Sequence, residues 1–260
     1  SNEEPYYVRQ TGNTTKDVFV QGETHTTQGR FPKLARILSR SLIGVSQKER
    51  LIIYASTLFR NNVVRLNHEY FDIPYWEFMK KLVMDVFGKT TIKTLIKTHR
   101  KGLLPSDDYR GHPLNEIELP PNVLLRSAPD MRHLRFAADV LILDWPSSVL
   151  TWLIVANIPL IYLSMGDNFL EDEIDPLLRK AIFVIDANTL GWENELLSIL
   201  NLPQGELNKI WEQKKKDRIY FNENYYSGPK QSDIKMIEWI KNKASHSTPR
   251  QTKLYGSVLT

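Results

Sequence analysis

The sequence predicts an α/β protein built on a doubly wound, mostly parallel sheet, with helices closing its carboxy-terminal part. Three observations lead there. Short apolar, β-branched runs bounded by turn residues alternate with longer stretches of helical period, the pattern of successive βαβ units. Several runs are apolar at every position, Val140-Leu141-Ile142-Leu143 above all, as suits a strand covered by helices on both faces. The 260 residues are 42% hydrophobic and 25% charged, close to the averages of folded soluble domains, and the length suits one large or two small domains.

A first strand is expected at 17–20, after a polar, Thr- and Asn-rich stretch, 1–16, that reads as a linker or disordered edge. Residues 31–43 carry Leu34, Ile37, Leu38 and Leu42 at helical spacing, an apolar stripe expected to pack on the sheet. A strand at 50–55 follows, then a helix over 74–87 with Phe78, Leu82, Val83 and Val86 on one side. Next come strands at 92–97 and 122–125, a helix over 129–137, a strand at 139–143, a helix over 147–156 and a strand at 159–163. A last strand at 181–185 leads to a helix over 190–200, after which Pro203 and Gly205 mark a break. Beyond it the period is helical only, over 206–218 and 231–243. The domain is thus expected to span 17–243, with 244–260, which mixes Ser, Thr, Pro and Gly with Arg250 and Lys253, as a flexible basic tail.

Composition removes several classes of chemistry. There is no cysteine, which excludes disulfide scaffolds, thiolate zinc sites, iron–sulfur clusters and cysteine nucleophiles. A balance of 34 basic to 30 acidic residues, net +4, is too mild to mark a nucleic-acid partner, and the aromatic residues are not interleaved with basic ones as a base-stacking platform requires. His68, His112, His133 and His246 lack a second ligand at metal spacing, so no metal and no tightly bound cofactor is expected. The phosphate-loop, dinucleotide and serine-hydrolase elbow patterns are absent. The most apolar stretch, 148–163, is broken by Asn157 and Pro159 and falls short of the ~20 residues of a membrane span. The first residues lack the basic-then-apolar order of a signal peptide. The chain therefore reads as cytoplasmic, with membrane contact at most peripheral, through the basic residues Lys241, Lys243, Arg250 and Lys253.

In an open α/β sheet, ligands bind beyond the carboxyl ends of the strands, so the residues just after each apolar run matter most. Asp144-Trp145-Pro146-Ser147-Ser148 follows one run and opens a helix. Its hydroxyls, with the free backbone N–H groups and the helix dipole, make an anion site fit for a phosphate; the same residues also serve as a plain N-cap. Lys97-Thr98-His99-Arg100-Lys101 closes another run. Its cations and imidazole suit a diphosphate, with His99 donating to an oxygen, or form a solvated basic turn. Ser56-Thr57-Leu58-Phe59-Arg60 offers hydroxyls and a guanidinium for sugar or phosphate, or a polar turn. Ser164-Met165-Gly166-Asp167 follows 159–163, where Gly166 lets the backbone pass close to a ligand or makes a simple turn. Glu23 and His25, after the first strand, suit an acid or base near the cleft, or form a surface turn.

Taken in order, these stretches resemble the CDP-glycerol glycerophosphotransferase family of teichoic acid synthesis, and with it the carboxy-terminal, nucleotide-binding half of GT-B transferases that build bacterial surface polymers. Leu51-Ile52-Ile53-Tyr54-Ala55-Ser56-Thr57-Leu58-Phe59-Arg60 is similar to the family's apolar strand ending in Tyr-Ala-Pro-Thr and Phe-Arg. Ile96-Lys97-Thr98-His99 is similar to its Lys-Pro-His segment, and residues 138–149 to its strand followed by an aspartate and paired serines. The likeness covers 17–167; the chain departs from it at Ser56 and Thr98, where the family has proline, and at Pro146, which intervenes between Asp144 and the serines.

The resemblance implies a Rossmann-like GT-B carboxy-terminal domain and a transferase whose substrate is a CDP- or CMP-activated donor. It implies a glycopolymer or lipid-linked acceptor and a place in the cytoplasm, peripherally at the inner face of a bacterial membrane. Lys97 and His99 become the catalytic pair on the donor's phosphates, and Ser147, Ser148, Asp144, Thr57 and Arg60 the nucleotide- and phosphate-binding set. Charge building on the departing nucleotide would then be stabilised by preplaced donors and cations without a metal. GT-B enzymes take their base from an amino-terminal half, so the chain reads as one half of a catalyst, inactive without an acceptor-binding half. Two other readings stay open: a non-catalytic nucleotide-binding or regulatory module on the same frame, and a nucleotide-sugar epimerase.

Overall fold

The computed structural model describes residues 32–57, 72–98, 113–146, 148–154, 156–166 and 173–225. The chain divides into two compact units, residues 25–222 and a second made of 1–24 with 223–260. The first holds the sheet; of the second, only 223–225 are described. The strand expected at 17–20, the helix expected at 231–243, and the boundaries and tail set from sequence lie outside the described residues.

Six parallel strands form the sheet: β1 (Leu51–Ala55), β2 (Lys93–Lys97), β3 (Val123–Arg126), β4 (Val140–Leu143), β5 (Leu160–Ser164) and β6 (Phe183–Asp186). Their order across the sheet is β3-β2-β1-β4-β5-β6. The register sets Ile53 beside Leu95 on one flank and Leu141 on the other. The doubly wound α/β class read from the sequence is the class of the fold.

Alternation along the strands explains why their sequences are apolar throughout. Ile52, Tyr54, Val140, Ile142, Ile161 and Leu163 belong to one cluster with Phe78, Leu82, Val86, Trp192, Leu196 and Leu200. Their neighbours Leu51, Ile53, Leu141, Leu143, Leu160 and Tyr162 point to the other side and are just as buried. Each such side chain, fully buried, contributes roughly 1.5–3 kcal/mol.

The helices are α1 (Pro32–Ile43), α2 (Asp72–Lys81), α3 (Met131–Leu134), α4 (Ser148–Ile154), α5 (Asp175–Ala181), α6 (Trp192–Leu200), α7 (Gln204–Gln213) and α8 (Lys215–Tyr225). α2 runs on through a wide turn, Leu82–Val86, and a tight one, Phe87–Lys89, which together complete the helix expected over 74–87. The Asp130 side chain caps α3 by accepting from Arg132 N–H at 2.9 Å. The helix expected over 206–218 is divided at Lys214, between α7 and α8. From that corner the Lys214 ammonium donates to the Arg179 and Lys180 carbonyls at 3.1 and 3.2 Å, a cation at the carboxyl end of α5 where the helix dipole favours it. α5 itself has no counterpart among the sequence expectations.

One expectation is overturned. The stripe Leu34, Ile37, Leu38, Leu42 does not pack on the sheet: these residues are 53%, 52%, 56% and 69% exposed. α1 is turned the other way, with Ser39 and Arg40 buried. The reason is Asp139, just ahead of β4. Its Oδ2 accepts from Arg40 Nη2 at 2.6 Å and from Leu51 N–H at 2.8 Å, and its Oδ1 from Arg36 Nη2 at 2.7 Å. Arg40 also donates to the carbonyls of Ala137, Ser46 and Glu49 at 2.9, 2.5 and 2.7 Å, and Ser39 Oγ donates to the His133 carbonyl at 2.8 Å. A cation taken out of water must be paired and hydrogen-bonded, and that demand sets the rotation of the helix.

Candidate site at the carboxyl edge of the sheet

The chain winds outward from β1 through β2 to β3 on one side and from β4 through β5 to β6 on the other. The direction reverses between β1 and β4, and the crevice beyond the carboxyl ends of those two strands is where sheets of this kind bind ligands. Three of the segments singled out from sequence end here. Ala55, the last residue of β1, lies between Lys97 of β2 and Leu143 of β4, so Thr57, Lys97 and Asp144 leave three neighbouring strands on one edge. The ends of β2 and β4 are two strand spacings apart, ~10 Å.

Asp144 lies beneath this edge, not on its rim. It is 0% exposed, and its carboxylate is held by the fold. Oδ2 accepts from the Tyr54 hydroxyl of β1 and from the Tyr75 hydroxyl of α2, the latter at 2.6 Å. Oδ1 accepts from the Thr57 backbone N–H at 3.0 Å. The Tyr75 oxygen stands 3.4 Å from the Thr57 carbonyl oxygen, and the Tyr54 oxygen 3.0 Å from Met79 Sδ. Burial pushes the Asp144 carboxyl up to about 6, against the pull of the two tyrosine bonds, the Thr57 amide and its own amide. Burial, with the Asp144 charge beside it, pushes the Tyr54 phenol well above its usual range.

Lys97 ends β2, buried at 8% exposure, with its ammonium donating to the Thr98 carbonyl. Ser56 is tied to the same strand, its N–H donating to the Lys97 carbonyl at 3.2 Å. The Thr98 N–H bonds Arg126 of β3 at 2.9 Å. Ser148 is the first residue of α4. His99, Arg60 and Ser147 lie outside the described residues, as do Glu23, His25 and Asp167.

Gly166 has a structural explanation in place of a ligand. Its φ is +87°, and a Cβ there would overlap the Asn188 amide, which donates to the Met165 carbonyl. Tyr54 and Tyr75 are the residues that the sequence reading missed. Their signal was a polar-tipped aromatic inside an otherwise aliphatic strand, next to a strand that runs into an aspartate. A buried carboxylate needs donors, and tyrosine supplies one without adding charge.

At the opposite, amino-terminal edge, a cleft of about 360 Å³ is lined by Arg36, Asp139, Asn157, Gln204, Trp211 and Glu212 among others. Its polar groups serve the fold: the Gln204 amide donates to the Asp139 carbonyl at 3.1 Å and to Asn208 Oδ1 at 2.8 Å, and Arg36 pairs with Asp139. Among the described residues no cluster of His, Asp or Glu is placed to hold a metal ion, and no helix is long and apolar enough to cross a membrane.

Strand order and crevice define a doubly wound, Rossmann-like α/β domain with its open edge at the β1–β4 switch point. No protein-family profile and no curated protein matches the sequence. Solved structures similar to this chain include glycosyltransferases and a polymerase. They include the spinosyn forosaminyltransferase SpnP, at 15% identity and a TM-score of 0.47, covering 76% of this chain and 45% of that one. The wall teichoic acid polymerase TagF, in a variant soaked with CDPG, is 14% identical at a TM-score of 0.44, covering 85% and 50%. The glycosyltransferase SnogD from Streptomyces nogalater is 12% identical at 0.42, covering 74% and 44%. The chain spans half or less of the length of these structures.

Proposed function

We propose that this chain is the donor-binding domain of a GT-B-type glycosyl- or glycerophosphotransferase, and that its crevice takes a CDP- or CMP-activated donor for a bacterial surface polymer. The observation that supports this reading is the meeting of the Thr57, Lys97 and Asp144–Ser148 segments along one edge, at the β1–β4 switch point.

In this reading the donor's phosphates lie across the ends of β1, β2 and β4. Lys97, with His99 two residues on, supplies positive charge and a hydrogen-bond donor. Thr57, Arg60, Ser147 and Ser148 hold the remaining oxygens. The acceptor hydroxyl attacks the donor's sugar carbon, or its glycerol-bearing phosphorus, while the bond to the nucleotide's phosphate oxygen breaks. The nucleotide leaves with the electron pair, and the preplaced cations offset its growing charge. The acceptor's proton passes to a base outside the set named here, on the half of the enzyme that carries the glycopolymer or lipid-linked acceptor. Where that acceptor is lipid-linked, the work takes place at the inner face of the membrane.

Calorimetric titration of the chain with CDP, CMP and UDP tests the reading. CDP or CMP is expected to bind with a dissociation constant below ~1 mM, with UDP weaker by on the order of tenfold. Heat changes indistinguishable from dilution for all three nucleotides would overturn it.

A further inference from the structure

The carboxylate beneath the crevice sits where it can govern the crevice wall. We infer that Asp144 is a positioning residue: by gathering the Tyr54 and Tyr75 hydroxyls on one oxygen and the Thr57 amide on the other, it fixes the turn after β1 in the setting from which Thr57 meets the ligand. The inference deepens the donor-binding reading and rests on it for the identity of the ligand.

The two oxygens have different duties. Oδ2 takes two hydroxyl donors, one from β1 and one from α2. Oδ1 takes the Thr57 N–H. A proton arriving on the carboxyl removes the charge that these donors answer to, and the tyrosine hydroxyls have the Thr57 carbonyl and Met79 Sδ within reach when it does. The Thr57 N–H then faces a neutral carboxyl, and its bond to Oδ1 loses the strength that charge gave it. Thr57 is then held less firmly to the residue that follows β4, while Ala55 keeps its pairing with Leu143.

The described titratable groups that face Asp144 are Tyr54 from β1 and Tyr75 from α2. Burial keeps the Tyr54 phenol protonated through the acid and neutral range. On β2, the charged neighbour Lys97 turns its ammonium to the Thr98 carbonyl. Burial, which holds the Asp144 carboxyl at about 6, places the loosening in mildly acidic solution.

The full chain, labelled with ¹⁵N, provides the test. The Thr57 amide shift is expected to titrate with a midpoint near 6, and the Asp144→Asn variant to show no such step. Tyr75→Phe removes a bond that favours the carboxylate, so it is expected to move the midpoint upward, toward neutrality, which a merely structural tyrosine would not do. The ratio of CDP affinity in the unaltered protein to that in Asp144→Asn is expected to fall roughly tenfold across the same step, the worth of a charge-assisted hydrogen bond, since the titrations of the CDP phosphate and of any histidine are common to both. A flat Thr57 titration, or a midpoint unmoved in Tyr75→Phe, overturns the inference even if Asp144→Asn fails to fold. Absence of CDP and CMP binding at neutral pH overturns the donor reading instead, while the amide titration still decides whether Asp144 sets Thr57.

Discussion

Asp144 illustrates how one side chain can be legible in kind and illegible in duty. Its place after an apolar run put it at the carboxyl end of a strand, and β4 does end at Leu143. That its carboxylate would turn inward, to two tyrosines, depended on which face of β1 carries Tyr54 and on where α2 delivers Tyr75, neither of which local sequence spells out. The buried carboxyl makes a stability prediction. Its pKa is raised from 3.8 to about 6 in the fold, so the native state holds the proton more tightly than the unfolded chain does. Its contribution is full below ~4 and is lost as pH rises through ~6, a change of roughly 3 kcal/mol. Urea unfolding between those pH values, compared with Asp144→Asn, is expected to show this slope in the unaltered protein and to lack it in the variant. Local and global effects run in opposite senses here: protonation relieves a buried charge while loosening Thr57.

At the scale of elements, period was read more safely than orientation. Residues 32–43 are helical as expected, but two stripes recur with the same spacing, Leu34-Ile37-Leu38 and Arg36-Ser39-Arg40. Hydrophobicity alone favours the first as the inner face. The ion pairs at Asp139 favour the second and prevail. Arg40→Ala is accordingly expected to destabilise the protein by about 3–5 kcal/mol, the cost of stranding a paired, poorly solvated charge. Leu38→Ser on the outward stripe is expected to change stability by less than ~0.5 kcal/mol, where a sheet-facing leucine would cost about 2–5 kcal/mol. Thermal or urea unfolding of the two variants decides between the orientations. α5 escaped notice because two helical turns, Asp175–Ala181, give too short a window for periodicity. The split between α7 and α8 escaped because Lys214 makes its bonds with α5, far away in sequence.

For the molecule as a whole, the class of fold was legible because a strand buried on both faces leaves no room for polar residues. The order of strands was not, since parallel pairing joins segments without regard to their distance along the chain. β1 pairs with β4 across some ninety residues, and that pairing brings the ends of Thr57, Lys97 and Asp144's strands to one edge. Lys97→Met tests the edge as a unit. It keeps the apolar stem of a largely buried side chain, so the melting temperature is expected to shift by only a few degrees, while CDP affinity measured by calorimetry is expected to fall about tenfold, the worth of the phosphate contact proposed for Lys97.

The manner in which α1 is fastened has a consequence for cold. Apolar burial weakens as temperature falls, and the sheet with its two covered faces relies on it. α1 is held chiefly by guanidinium groups on Asp139 and on backbone carbonyls, bonds that do not draw on the entropy of water in that way. On chilling, the grip of the sheet's helices should slacken before that of α1 does.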